Sequence, residues 1–251
     1  PDDLARDLIR EGMRAAERSG TWTGMNRLRR PDGHEIPVSQ VLVAHPTVDD
    51  DGQQLYSTIC RDMTSQRDLE DQLRRAALYD DATGLPNRVL LVDQLARLVS
   101  AVERDRCVAV LFADLDHLQR INETFGFAAG DQVVTTIAGR ITDLVRAQDL
   151  VARHGGSQFV VALSDVPDEF EAISLADRLL TCFAEPVVAD GHELKVTGSV
   201  GITLVGAGQD HLGALRSAEI ALHRAKEAGG GRYALFDDEL QRRAVDRLEI
   251  E

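Results

Sequence analysis

Two rhythms of apolar residues alternate along this chain, one of about 3.6 residues and one of short alternating or continuous runs. Leu4, Leu8, Ile9 and Met13 recur on one face and predict a charged helix over roughly 3–19. Three strand-like stretches follow, from Thr21 to Arg30, Ile36 to Val43 and Leu55 to Asp62. Pro31-Asp32-Gly33 and Asp49 to Gly52 separate them, with turn chemistry supplied by proline and glycine. Met63 to Ala77 returns to helical spacing through Leu69, Leu73 and Ala76-Ala77, after the cap candidates Thr64 and Ser65.

The second part of the chain is richer in buried-type runs. Val89 to Glu103 reads as a helix with Leu90, Leu91, Leu95 and Leu98 inward. Cys107 to Ala113 is wholly apolar, the pattern of a central strand covered on both faces. Asp114 and Asp116 close it and are expected to project to opposite faces, so that one faces a given site. Asp131 to Val145 is helical through Val134, Ile137, Ile141 and Leu144. Leu150 to Ala152 and Phe159 to Leu163 are short strands joined at Gly155-Gly156, a pair that permits a tight hairpin and close approach of a ligand. Asp168 to Ala184 and Leu212 to Glu227 are further helices, and Pro186–Val188 with Glu193–Leu204 is expected to form one hairpin. Phe236 to Glu251 reads as a charged helix.

Composition narrows the function. With 251 residues the chain holds one large domain, or one plus a fragment, and its start at Pro1 leads us to expect a piece of a longer protein. A formal net charge of −14 and an aromatic content of 4% argue against nucleic-acid binding, though not against a small anion held by local arginines. Cys60, Cys107 and Cys182 have neither zinc nor redox spacing and suit a reducing cytoplasm. No stretch has the length and hydropathy of a membrane span or a signal peptide.

Several blocks carry a family resemblance in order and spacing. Gly155-Gly156-Ser157-Gln158-Phe159 resembles the signature hairpin of GGDEF domains, the diguanylate cyclases, with both acidic positions replaced by neutral residues. Asp80 and Thr83-Gly84-Leu85-Pro86-Asn87-Arg88 resemble the family's opening motif, with Ala82 in place of leucine. Asp114 to Asp131, Ser199-Val-Gly201-Ile and Ala218 to Gly231 match later blocks. Between about 21 and 62, Trp22, Gly24, Arg29-Arg30, Asp32-Gly33, Gly52 and Arg61-Asp62 resemble the C-terminal part of a PAS sensor domain. The plain alternative there is a structural hairpin sheet, with Trp22 as a packing residue.

The resemblance implies an α+β fold like nucleotidyl cyclases and polymerase palms, with a central mixed, mainly antiparallel sheet flanked by helices. It divides the chain into a partial PAS-like domain over 1–62, a signalling linker helix over 63–77, a GGDEF domain over 78–236 and a connector helix over 237–251 of the kind that leads into EAL phosphodiesterase domains. It places Arg146 and Asp149, with Arg178, at the family's inhibitory site for cyclic di-GMP, where arginine forks and a carboxylate suit phosphate and guanine edges. Read from spacing alone, Arg146 and Asp149 form an exposed ion pair of little energetic value. Asn122 and Asp131 fall on the guanine-reading pair, Gly155 and Gly156 on the nucleotide-facing turn, Lys226 on a phosphate contact, and Asp114 on a Mg2+ ligand. Ser157, Gln158, Gln119 and Gly230 depart from acid, acid, lysine and arginine, so no intact catalytic set remains and little turnover is expected. Three functions stay open: a cyclic di-GMP-binding regulatory module, a GTP-binding activator of an EAL partner, and a weak cyclase. Homodimerisation through 63–77 is expected, against a monomeric linker helix as the alternative.

Overall fold

The computed structural model describes residues 3–30, 32–48, 53–103 and 105–236. It divides into two compact units, Pro1–Arg75 and Ala76–Glu251. The expected connector helix over 237–251 lies outside the described residues, as do Pro31 and the Asp49 to Gly52 turn.

The first unit is a helix packed on a three-stranded meander. Helix α1 (Asp3–Ser19) precedes β1 (Thr21–Arg29), β2 (Glu35–Val48) and β3 (Gln54–Asp62), paired antiparallel in the order β1-β2-β3. Strand alternation sends Trp22, Val38 and Leu42 to the face that α1 covers. The Trp22 ring lies against Gly12 of α1 and Gly24 of its own strand, so it is the packing residue of this unit. Helix α2 (Thr64–Leu78) crosses the division between the units and has no buried residue; Leu69 and Leu73 are 55% and 62% exposed.

The second unit is built on a five-stranded sheet of order β10-β9-β4-β6-β5. Its strands are β4 (Cys107–Asp116), β5 (Leu150–Gly155), β6 (Gln158–Val166), β9 (Thr197–Gly206) and β10 (Tyr233–Leu235). All neighbours are antiparallel except β9 and β10. This is the mixed, mainly antiparallel sheet expected. The apolar run of β4 is central and buried on both faces. Its odd positions Ala109, Leu111, Ala113 and Leu115 pack with helices α5 (Phe127–Leu144) and α6 (Glu169–Ala184). Its even positions Val108, Val110 and Phe112 pack with α3 (Arg88–Ala101) and α7 (His211–Glu227). Between β9 and α7 the approach is close enough that a Cβ on Gly201 would fall 2.0 Å from the Ala218 carbonyl oxygen.

Several local expectations change. The stretch after β4 forms its own helix, α4 (Leu118–Phe125), and α5 starts at Phe127 rather than Asp131. The expected single hairpin over 186–204 divides in two. Val187–Ala189 and His192–Leu194 pair as a separate ribbon, β7 with β8, and β9 joins the central sheet. Phe236 does not open a helix: its N–H donates to Ile202, continuing the β10 ladder. Helix α3 ends at Ala101.

Candidate functional site

The hairpin between β5 and β6 turns through Gly156 and Ser157, with Gly155 the last residue of β5. Both glycines have positive φ, 141° and 53°, where a side chain would be strained. This turn brings Ser157 and Gln158 beside the end of β4. The Ser157 hydroxyl donates to Asp114 Oδ1 at 2.5 Å, and the Gln158 amide donates to Asp114 Oδ2 at 3.1 Å. Lys226, in the last turn of α7, places Nζ 2.7 Å from the same Oδ2. Asp114 is buried, so its charge is compensated within the protein by one cation and two neutral donors.

Asp116 lies on the same face as Asp114, contrary to the expectation that the two would splay to opposite faces. Residues two apart in a strand share a face. What separates them is lateral. Asp114 leans to the β6 hairpin, whereas Asp116 accepts from Thr197 Oγ1 and Ser199 Oγ of β9, each at 3.0 Å. The Gly231 N–H also donates to Asp116. The Gly229–Gly231 turn after α7 has positive φ throughout, and a Cβ on Gly230 would sit 3.3 Å from Asp116 Oδ2. Arg232 turns back, donating from Nε to the Gly230 carbonyl.

Arg153, which sequence reasoning passed over, ties the hairpin to the opening turn of the unit. Its guanidinium is 11% exposed; Nη1 donates to Asp80 Oδ1 at 2.9 Å and Nη2 to the Gly156 carbonyl at 2.8 Å. The same Asp80 oxygen accepts from the Thr83 N–H and hydroxyl. Burial raises the Asp80 pKa, but the Thr83 and Arg153 hydrogen bonds outweigh it and hold the carboxyl below its ordinary value. An arginine directly after the apolar run Leu150–Ala152 was the signal available.

Asn122 of α4 lies against the start of α5, one residue before Asp131. Asn122 packs on Gly130, where a Cβ would fall 1.8 Å from its Oδ1, and Asp131 is exposed on the next position of α5. Asn122 Oδ1 is buried and accepts no hydrogen bond among the described residues. Gln119 points elsewhere, pairing with Glu123 one turn along α4 at 2.8 Å.

Arg146, Asp149 and Arg178 gather around the 144–149 turn, but Arg146 and Asp149 are not paired side chain to side chain. The Arg146 guanidinium meets Glu171 at 2.5 Å. Asp149 instead caps backbone: its carboxylate accepts from the Arg146 and Ser164 N–H groups. Arg178 donates from Nη2 to the Leu144 carbonyl at 2.9 Å, closing the end of α5. Both guanidinium-bearing residues remain exposed.

Residues 77–232 match the family model described as diguanylate cyclase, GGDEF domain. The chain belongs to the GGDEF family. It is 35% identical over 189 residues to the bifunctional diguanylate cyclase/cyclic di-GMP phosphodiesterase MucR of Pseudomonas aeruginosa, covering 74% of this chain and 27% of that protein. It is 37% identical over 181 residues to the cyclic di-GMP phosphodiesterase NbdA of the same species, covering 71% and 23%. Among solved structures, a GGDEF-domain-only form of TpbB (YfiN) from Pseudomonas aeruginosa superposes with a TM-score of 0.58 at 32% identity, covering 63% of this chain and 94% of that one. The chain thus spans about a quarter of the length of these curated relatives. GGDEF domains of this kind occur in cyclic di-GMP signalling proteins that include both cyclases and phosphodiesterases. Among the described residues no helix is long and apolar enough to cross a membrane.

Proposed function

We propose that this GGDEF domain is a regulatory module of a larger cyclic di-GMP signalling protein, one that binds cyclic di-GMP rather than making it. The observation that carries the reading is the closed carboxylate at Asp114. Cyclisation of GTP calls for a metal-loaded acidic pair to neutralise triphosphate and activate a hydroxyl. Here Ser157 and Gln158 present an O–H and an N–H to Asp114, and Lys226 neutralises it. Mg2+ needs carboxylate lone pairs in near-octahedral order. Both Asp114 oxygens already accept from protein donors, so this set does not fit a resident Mg2+, and no step is assigned through one. Gln119, held by Glu123, and Gly230, without a side chain, add nothing for phosphate. Turnover of GTP is accordingly lost.

The ligand reading rests on the gathering of Arg146, Asp149 and Arg178 at one exposed turn. Cyclic di-GMP brings two phosphates and two guanine edges, and would compete with Glu171 for the Arg146 fork. Asp149 offers acceptor capacity to guanine N1 and N2, which adenine cannot satisfy. Calorimetry with cyclic di-GMP and cyclic di-AMP tests it. We expect binding of the guanine ligand, much weaker binding of the adenine ligand, and a loss of about 2–4 kcal/mol on Arg146→Ala, as for a desolvated charge contact. Absence of heat from cyclic di-GMP, or unchanged binding by both Arg146→Ala and Asp149→Ala, would refute it.

A second reading, a GTP-binding activator of an EAL phosphodiesterase partner, is favoured by one observation. Among the described residues the Asn122 Oδ1, packed on Gly130 beside the exposed Asp131, has no donor, which supports a guanine-reading role once the amide turns toward a ligand. A cytoplasmic setting, a PAS-like identity for the first unit and assembly as a homodimer through α2 belong to the same proposal. Support for the last is the wholly exposed apolar stripe of that helix.

A further inference from the structure

We infer that Lys226 serves as the resident counter-ion of Asp114 in place of a divalent cation, so that any guanine nucleotide held at this end of the sheet is bound independently of metal and of its phosphate count. This rests on the Asn122 and Asp131 reading for its nucleotide half and on geometry alone for its metal half. Asp114 is 6% exposed and its two oxygens accept from three donors: Ser157 Oγ at 2.5 Å, Gln158 Nε2 at 3.1 Å and Lys226 Nζ at 2.7 Å.

A hydroxyl and an amide N–H aimed at a carboxylate compete with a cation for the same lone pairs. A buried carboxylate with no opposing cation is strongly disfavoured, and Lys226 removes that penalty without an ion from solution. Its position suits the task, because an ammonium in the last turn of a helix also faces the negative end of the helix dipole. Asp116, the other acid on this face, is likewise engaged by Thr197, Ser199 and the Gly231 N–H.

The consequence for a ligand follows from charge. A phosphate that recruited Lys226 would strip Asp114 of its ionic partner and approach two carboxylates. Each added phosphate therefore brings repulsion along with any attraction, and affinity is left to the base, at Asn122 and Asp131. Ligands ranging from guanosine monophosphate to triphosphate should bind alike, and magnesium should not discriminate among them.

Two measurements on the whole chain test this. Titration with Mn2+ followed by electron paramagnetic resonance should show no ion bound at Asp114 in the wild type. The Ser157→Asp, Gln158→Glu variant, checked for folding by circular dichroism, should gain a bound ion. The single Gln158→Glu variant serves if the double one does not fold. Wild-type Mn2+ binding that Asp114→Asn abolishes overturns the inference, as does failure of the folded acidic variants to bind Mn2+. Calorimetry with GTP and GMP, in excess magnesium and in EDTA, should give dissociation constants within about threefold of one another. GTP binding tightened about tenfold or more by magnesium overturns it. If neither nucleotide binds while the resonance result holds, the base-reading pair has failed and the metal half stands.

Discussion

Replacing Arg153 by methionine should destabilise the second unit. The side chain keeps its buried stem and loses its charge and donors. Two contacts vanish, the 2.9 Å ion pair to Asp80 and the 2.8 Å bond to the Gly156 carbonyl. Cutting one partner from a fully buried pair costs about 3–5 kcal/mol. Asp80 is 25% exposed and keeps both Thr83 donors, so we take the pair at about 2–3 kcal/mol. The lost bond at the exposed Gly156 adds about 0.5–1 kcal/mol. The sum, about 2.5–4 kcal/mol, should appear in urea unfolding followed by far-ultraviolet circular dichroism, as a lower midpoint with an unchanged slope. The pH dependence supplies a signature that simple loss of packing lacks. The Asp80 carboxyl is held below its unfolded value of 3.8, so the pair stabilises the fold fully above that pH and loses its effect as the pH falls through the depressed value. The gap between wild type and Arg153→Met should therefore be constant near neutrality and narrow below 3.8. A variant within about 0.5 kcal/mol of wild type at neutral pH, inside the range of ordinary surface substitutions, would refute the role of Arg153.

Other expectations follow from the same geometry. Purified protein with GTP and magnesium should yield no cyclic di-GMP above an enzyme-free control, and Ser157→Asp with Gln158→Glu should not restore synthesis while Gln119 and Gly230 remain; multiple turnovers within an hour by wild type would contradict this. Gly201→Ala should unfold or severely destabilise the second unit, by about 3 kcal/mol or more, because the added Cβ meets the α7 backbone rather than a movable side chain. Thermal melts would show it, and a shift of only a degree or two would disprove the close packing. Gly130→Ala meets only the end of the Asn122 side chain, so it should weaken guanine nucleotide binding while sparing stability; equal affinity by calorimetry would remove Asn122 from the site. Leu69→Asp with Leu73→Asp should shift light scattering toward monomer, and an unchanged dimer would place the interface outside α2.

The sequence by itself determined most strands and helices of the second unit, where its signals are local and strong, and the family resemblance supplied the sheet type. The apolar run Cys107–Ala113 has the length and composition of a doubly covered strand, and it is one. The Gly155-Gly156 pair permits the tight turn that the structure shows. The family resemblance also assigned Asp114, Ser157, Gln158 and Lys226 to one nucleotide site. What it left undecided was which atoms meet. Lys226 lies 112 residues from Asp114, and no periodicity encodes that their charges cancel rather than await a phosphate and a metal. Asp149 carries the family spacing yet already accepts from two backbone N–H groups, one of them 15 residues away in β6. Arg153 reads as an interruption in a strand until Asp80, 73 residues earlier, folds against it. Helical and strand rhythms report burial one element at a time, whereas the partner of a buried charge is chosen by packing between elements distant in the chain. That choice, made in three dimensions, is what turned a set of familiar motifs into a site whose central carboxylate is already satisfied.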